Sequence, residues 1–283
     1  MNMLSPHTVD LLNAYNAHLP QLEQLAEQVS SMLLKALREQ NIQLNTFERR
    51  VKTEDSLTGK LEKKGNKYRT IYDITDCPID LACGQMPDTA QENVLLCAAA
   101  AFTGKCLDHF EHSNILGPHI SGGMLHEGYL EDKDGIPFAE RYALFVWEGN
   151  GLNGKMLCKR ICSFPCEEVL DSAVEHGGMA FTQHWVIKNG EIYAHKIQPL
   201  DRVEHFRSIC QKGERFYVIA NREEMAYQDY LQALLDAGVE QALYMDMGAG
   251  WNHSFYRDEE GKVHILHPKG HDYPTNWLVV MRG

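Results

Sequence analysis

Asp246 closes an apolar run, Ala242-Leu243-Tyr244-Met245, and is followed at once by Met247-Gly248-Ala249-Gly250. An acid at the carboxyl end of a strand with glycines behind it suits a ligand site, because glycines let a backbone approach a substrate closely or turn its N–H groups outward. The same pattern fits an ordinary turn with a capping aspartate. Upstream, His112 to Gly123 holds five polar side chains, Asn114 and His119 among them, in a loop rich in Gly and Pro, as binding loops often are. A histidine ordinarily titrates near neutrality, where a general acid or base is useful, so His119 is expected to serve as one, and His253, three residues past Gly250, is a second candidate for that role. His109 and His112 stand three apart, a spacing that suits a metal on a helix face but arises more often by coincidence. Between Glu48 and Arg69, eight basic residues, including Arg50, Lys52 and Lys60, meet four acidic ones. Cations so gathered could hold a polyphosphate or form a solvated face.

Each group needs an element to hold it. Phe216-Tyr217-Val218-Ile219-Ala220 reads as a buried strand, after which Asn221 and Glu224 cap a helix striped by Tyr227, Tyr230, Leu231, Leu234 and Leu235 and closed by Gly238. With the strand from Ala242 to Met245 this makes a β-α-β unit that delivers Asp246 to a carboxyl end. Three hairpins are expected. Asn189-Gly190 turns one between Phe181 and Ile197, Tyr142 to Trp147 pairs with Lys155 to Ile161, and Gly261 turns a third between Phe255 and Leu266. Near the N-terminus, Leu22, Leu25, Val29, Leu33 and Leu37 repeat at helical spacing. A shorter helix is expected before them, a strand from Leu44 to Val51 after them, and a short helix from Ser56 to Lys64. The fold class is therefore α+β: an N-terminal helical and strand half-module, then a mixed sheet domain rich in hairpins with one β-α-β unit.

With 283 residues, 44% of them hydrophobic, the chain has material for about two cores, and wholesale disorder is excluded. Its 27 basic and 39 acidic side chains leave a net charge of −12, so no general field draws it to nucleic acid or an anionic membrane. The first twenty residues have neither the basic nor the apolar region of a signal peptide, and the run from Val94 to Phe102 is about half of what a bilayer needs. A soluble, cytoplasmic protein is expected. All of the net charge and all eight cysteines follow Asp76, which suggests two modules, 1–76 and 77–283. No C-x-x-C pair occurs, and Pro165 interrupts any helix that would align Cys158, Cys162 and Cys166, so reduced, mostly buried thiols are the reading.

Two stretches carry family resemblances. Ala242 to Trp251 resembles the A-x-x-L-D-G-G-G-S signature of phosphodiester glycosidase domains, the mannose-6-phosphate uncovering enzyme-like family. Cys97 to Phe102 is similar to the small-residue strand near that domain's start, His205 to Ile209 to its Arg-Thr segment and Thr275 to Val280 to its closing strand, in the family's order across 77–283. The resemblance implies a hydrolase acting on a small-molecule or glycan phosphodiester. Arg207 would clamp the phosphate, Asp246 would act as base or orienter, His119 or His253 would serve as acid or base, and Gly248, Gly250 and Asn114 would bind substrate. Met247 and Trp251 depart from the signature, and that departure favours the alternative of a non-catalytic glycan or phosphodiester binding module. The second stretch, Arg50 to Leu57 with Lys60-Leu61 and Tyr72-Asp73-Ile74-Thr75-Asp76, resembles the opening of a RelA/SpoT-type alarmone synthetase domain. It implies phosphate contacts from Arg50, Lys52 and Lys60 and a magnesium ligand in Asp76. No second carboxylate or acceptor platform follows, so this segment is expected to be inactive, with magnesium a cofactor only if it functions in nucleotide binding. The oligomeric state stays open.

Overall fold

Alternating apolar residues in short runs, broken by Gly and Asn turns, make strands of most of the described chain. The computed structural model describes residues 69–104, 109–132, 135–151, 154–193, 199–221, 223–247, 254–266 and 274–283. Of the two compact units, Met1–Ser56 and Leu57–Gly283, all of these belong to the second. The expected N-terminal helices and strand lie outside the described residues, as do Arg50, Lys52, Lys60, Gly248, Gly250 and His253.

In chain order the strands are β1 (Arg69–Asp73), β2 (Ile79–Cys83), β3 (Val94–Ala99), β4 (His119–Ser121), β5 (Met124–His126), β6 (Tyr142–Trp147), β7 (Lys159–Ser163) and β8 (Met179–Lys188). They continue with β9 (Glu191–Ile192), β10 (Val203–Glu204), β11 (Arg207–Lys212), β12 (Arg215–Asn221), β13 (Met225–Ala226), β14 (Gln241–Tyr244), β15 (Phe255–Arg257), β16 (Val263–Ile265) and β17 (Asn276–Met281). The described helices are short: α1 (Phe138–Arg141), α2 (Glu167–Glu175) and α3 (Tyr227–Asp236). The domain is thus α+β with strand predominating, and no helix among the described residues is long and apolar enough to cross a membrane.

A ten-stranded sheet runs β1-β12-β11-β14-β8-β4-β5, with β6 and β9 also on β8 and β7 on β6. A five-stranded sheet runs β16-β15-β3-β17-β2. The inner faces of the two meet in one core, where Leu81, Leu96 and Leu278 of the small sheet join Phe145, Phe181 and Leu243 of the large one. On the outer face of the large sheet, α3 lays Tyr227, Tyr230, Leu231 and Leu234 over Phe206 and Cys210, while Leu170 and Ala173 of α2 cover Ile120, Leu144 and Ala180.

All three expected hairpins form. Asn189 and Gly190 take φ of 53° and 76°, which is the left-handed pair that a two-residue turn between β8 and β9 requires. The partner of β6 begins at Lys159 rather than Lys155. The β-α-β unit is also present, but split: β12 and β14 are both antiparallel to β11, which lies between them, so they run parallel with one strand interposed. The helix starts at Tyr227 behind Ala226 with no side-chain cap. Asn221, expected to cap it, instead accepts from Phe206 N at 2.5 Å and donates to Glu204 O and Glu223 O. Before Asp76, β1 pairs along β12, and Asp73 takes hydrogen bonds from Arg215 and from Thr75 N. The large sheet therefore includes residues on both sides of Asp76, which is exposed in the turn after β1.

Candidate functional site

Arg207 opens β11, and Asp246 lies two residues beyond β14. The β11–β14 ladder continues one residue past the end of β14, since Met245 N donates to Arg207 O at 2.9 Å, and so the backbones of the two residues come to the same end of the sheet. Asp246 N in turn donates to Ala100 O at 2.9 Å, which joins this edge to the end of β3. Both side chains are buried, Arg207 at 1% and Asp246 at 2% exposure. Arg207 Nη1 donates to Ser254 Oγ at 3.0 Å, while its Nε has no hydrogen-bond partner among the described residues. Burial pulls the guanidinium below its ordinary pKa, and the groups that favour its charge are Tyr72, Tyr230, Cys97 and Tyr244. None of these is a carboxylate. Among the described residues, a buried cation therefore stands without a counter-charge.

The surroundings are polar and hydrogen-bonded. Gln183 Nε2 donates to Ala100 O at 3.2 Å and its Oε1 accepts from His184 N. Asn276 holds Ala101 on both sides, accepting from its N at 2.8 Å and donating to its O at 3.0 Å. His184 packs on Phe102 and Tyr142, and its Nδ1 accepts from Arg141 Nε. The Tyr129 phenol is pushed above its ordinary pKa by burial first, then by Glu131, Tyr142 and Asp246.

His119 sits elsewhere in its hydrogen bonding. Its Nδ1 bonds to Gly117 O at 3.1 Å, its Nε2 lies 2.9 Å from His112 Nδ1, and its ring stacks with those of His112 and His126. These partners all belong to its own loop, and none of its described contacts reaches Arg207. Asn114 bonds to Glu111 on the surface of the same loop, not to the Arg207 edge. Of the expected residues, then, Arg207 and Asp246 have their backbones at the same end of the sheet, while His119 lies in a separate histidine cluster and Asn114 bonds within the loop that carries it. Asp76 is in no metal-type cluster among the described residues.

That second cluster is the one the residue types alone did not suggest. His112, His119 and His126 each present a ring nitrogen, and these atoms all lie within 4.8 Å of one another. A signal for it exists in the regular spacing of seven. His119 faces His126 directly across the β4–β5 pair, so both rings project on one face, and His112, from the short 3-10 turn His112–Asn114, stacks on His126 at a centroid distance of 3.5 Å. Burial, ahead of the neighbouring rings, lowers the His119 pKa to about 4, and burial with His126 lowers that of His112. The helix-face pairing of His109 with His112 does not form: His109 bonds to Glu111 in the loop.

No known protein-family profile and no curated protein matches the chain. Among solved structures it is similar to the catalytic domain, auto-inhibited by its pro-peptide, of zebrafish N-acetylglucosamine-1-phosphodiester alpha-N-acetylglucosaminidase. Identity there is 14%, covering 80% of this chain and 87% of that one, with a TM-score of 0.46. A hypothetical protein from Synechocystis is similar at 9% identity, covering 78% and 61%, with a TM-score of 0.40. The likeness is one of fold, and distant.

Proposed function

We propose that the chain is a hydrolase of anionic sugar phosphodiesters, with Arg207 and Asp246 as its working pair. The observation that carries this reading is the buried guanidinium of Arg207, which lacks a carboxylate among the described residues and lies one strand from a buried acid. An unpaired buried charge is costly, and a phosphate would supply the missing anion with a geometry that a guanidinium matches bidentately. In hydrolysis, water would form the new bond to the anomeric carbon as its bond to the phosphate oxygen breaks. Asp246 would take the proton from that water, and the electron pair would stay on the leaving phosphate beside Arg207. Gly248, Gly250 and His253 follow Asp246 directly in sequence and would complete the pocket.

The test is release of sugar from the methyl diester of a sugar 1-phosphate. Asp246→Asn is expected to lower turnover by at least ~100-fold while circular dichroism and melting stay native. Equal turnover in the wild type and the variant would overturn the reading. Binding of the diester without hydrolysis, lost in Arg207→Gln, would identify the non-catalytic module that Met247 and Trp251 favour.

A further inference from the structure

We infer that His112, His119 and His126 form a binding site for one divalent transition-metal ion of the zinc class. The inference rests on no part of the Arg207 and Asp246 reading.

Three features of the loop build the site. The β4–β5 pair sets His119 opposite His126, so two of the ligands are fixed by backbone register rather than by rotamer alone. His119 Nδ1 is committed to Gly117 O at 3.1 Å, which puts the ring proton on Nδ1 and leaves the Nε2 lone pair pointing at His112. A backbone carbonyl on the far nitrogen is the partner that metal-bound histidines usually have, since it fixes the tautomer and aims the ring. The third feature is His126 Nε2, which is buried and has no hydrogen-bond partner among the described residues. A polar atom left so is costly unless something else occupies its lone pair or takes its proton.

The protonation pattern agrees. With Nδ1 of His119 carrying its proton, the 2.9 Å contact to His112 must be donated by His112 Nδ1–H. A metal would replace that shared proton: His112 would switch tautomer, carrying its ring proton on Nε2 instead, and turn the Nδ1 lone pair inward. Two nitrogens on a tetrahedral zinc, each about 2.0–2.1 Å from the ion, lie about 3.3 Å apart, so the His112 and His119 nitrogens need to separate by only a few tenths of an ångström, while the His112 and His126 rings, stacked at 3°, must tilt for both lone pairs to meet one ion.

The donor set selects the ion. Three neutral imidazoles suit zinc, copper, nickel or cobalt and do not suit magnesium or calcium, which require hard oxygen ligands. Two carboxylates adjoin the histidines in sequence: Glu111 is engaged by His109, Ser113 and Asn114, and Glu127, exposed beside His126, is not among the clustered ligand atoms. Three histidines also leave a fourth position for water or another ligand, the ligand count of an open zinc site rather than a closed structural one.

The experiment uses the full chain stripped with chelator and then dialysed. Titration with zinc chloride should show one ion per chain and raise the melting temperature, while magnesium does neither. Cobalt should give weak visible bands of nitrogen-type coordination without thiolate charge-transfer absorption. His112→Gln with His126→Gln, both at half-buried positions, should lower zinc affinity by more than the roughly 10–100-fold that losing an outer-shell partner costs, and should abolish the melting shift while the metal-free melting temperature stays near that of the wild type. Gly117 offers only its carbonyl, so His119→Gln is a second, independent ligand test if the double variant folds poorly. Zinc that binds the double variant as tightly as the wild type, a thiolate-type cobalt spectrum, or no bound zinc at all would overturn the inference. Loss of sugar-phosphodiester hydrolysis in Asp246→Asn with zinc binding intact separates this site from the one proposed above.

Discussion

Gly128 decides how closely the return of the histidine loop approaches its outgoing arm. It adopts φ of +65°, and a Cβ there would fall 2.2 Å from Gly117 O and 2.4 Å from Ile115 O, both backbone atoms that cannot yield cheaply. Gly128→Ala is therefore expected to cost about 1–3 kcal/mol of stability in urea unfolding. Because Gly117 O holds His119 and His126 lies two residues before Gly128, the same variant should bind zinc more weakly; unchanged stability and affinity would contradict the argument. At this scale the sequence revealed part of the picture. Asp246 at a strand end was legible from an apolar run and the glycines behind it. That β11 would bring Arg207 to the same end of the sheet, and that His119 would face His126 instead, depends on which strands pair, and no single residue type encodes that. Asn114 had the right polarity for a binding loop, but its amide found a local partner in Glu111.

At the scale of elements, local signals proved reliable and long-range order did not. The Asn189-Gly190 turn and the α3 stripe are written within a few residues, and both formed as expected. The insertion of β11 between β12 and β14 is a pairing between distant segments, and Asn221 gave up helix capping for three bonds that only the folded chain offers. Asn276, at the start of β17, shows how such bonds position the candidate site. Its amide satisfies both backbone groups of Ala101, and the neighbouring Ala100 O receives Asp246 N. Asn276→Leu removes the donor and the acceptor together, leaving two buried groups unpaired at about 1–3 kcal/mol each. A loss of at least about 2 kcal/mol in urea unfolding is expected, and the displaced Ala100 should lower activity with it. A variant as stable as the wild type would show that water or another side chain replaces the amide.

For the whole molecule, buried ionisable groups set the limit of stability on the alkaline side. Reduced, mostly buried thiols were the expectation from composition, and Cys77, Cys97, Cys166 and Cys210 are buried and free. Burial raises the thiol pKa from an ordinary 9.0 to about 11 in Cys83 and to about 12 in Cys97 and Cys166, and Cys210 is raised as well. Since the folded pKa exceeds the unfolded one, the unfolded chain sheds these protons first. Their contribution to stability is complete below pH 9 and is lost as pH rises through the folded values. Lys159 opposes them. Burial lowers its pKa from 10.5 to about 8, against the attraction of Cys77, Asp76 and Asp73, while its Nζ donates to Thr75 O and Cys77 O. Here the unfolded chain holds the proton longer, so stability from this group rises between pH 8 and pH 10.5. One lysine stands against several thiols, so thermal melts in reductant should change little or rise slightly from pH 7 to pH 9 and then fall steeply to pH 11. Replacing Cys97 and Cys166 with alanine should flatten the alkaline fall even where it lowers stability at pH 7. A melting temperature that keeps climbing through pH 10.5 would mean that the lysine outweighs the thiols.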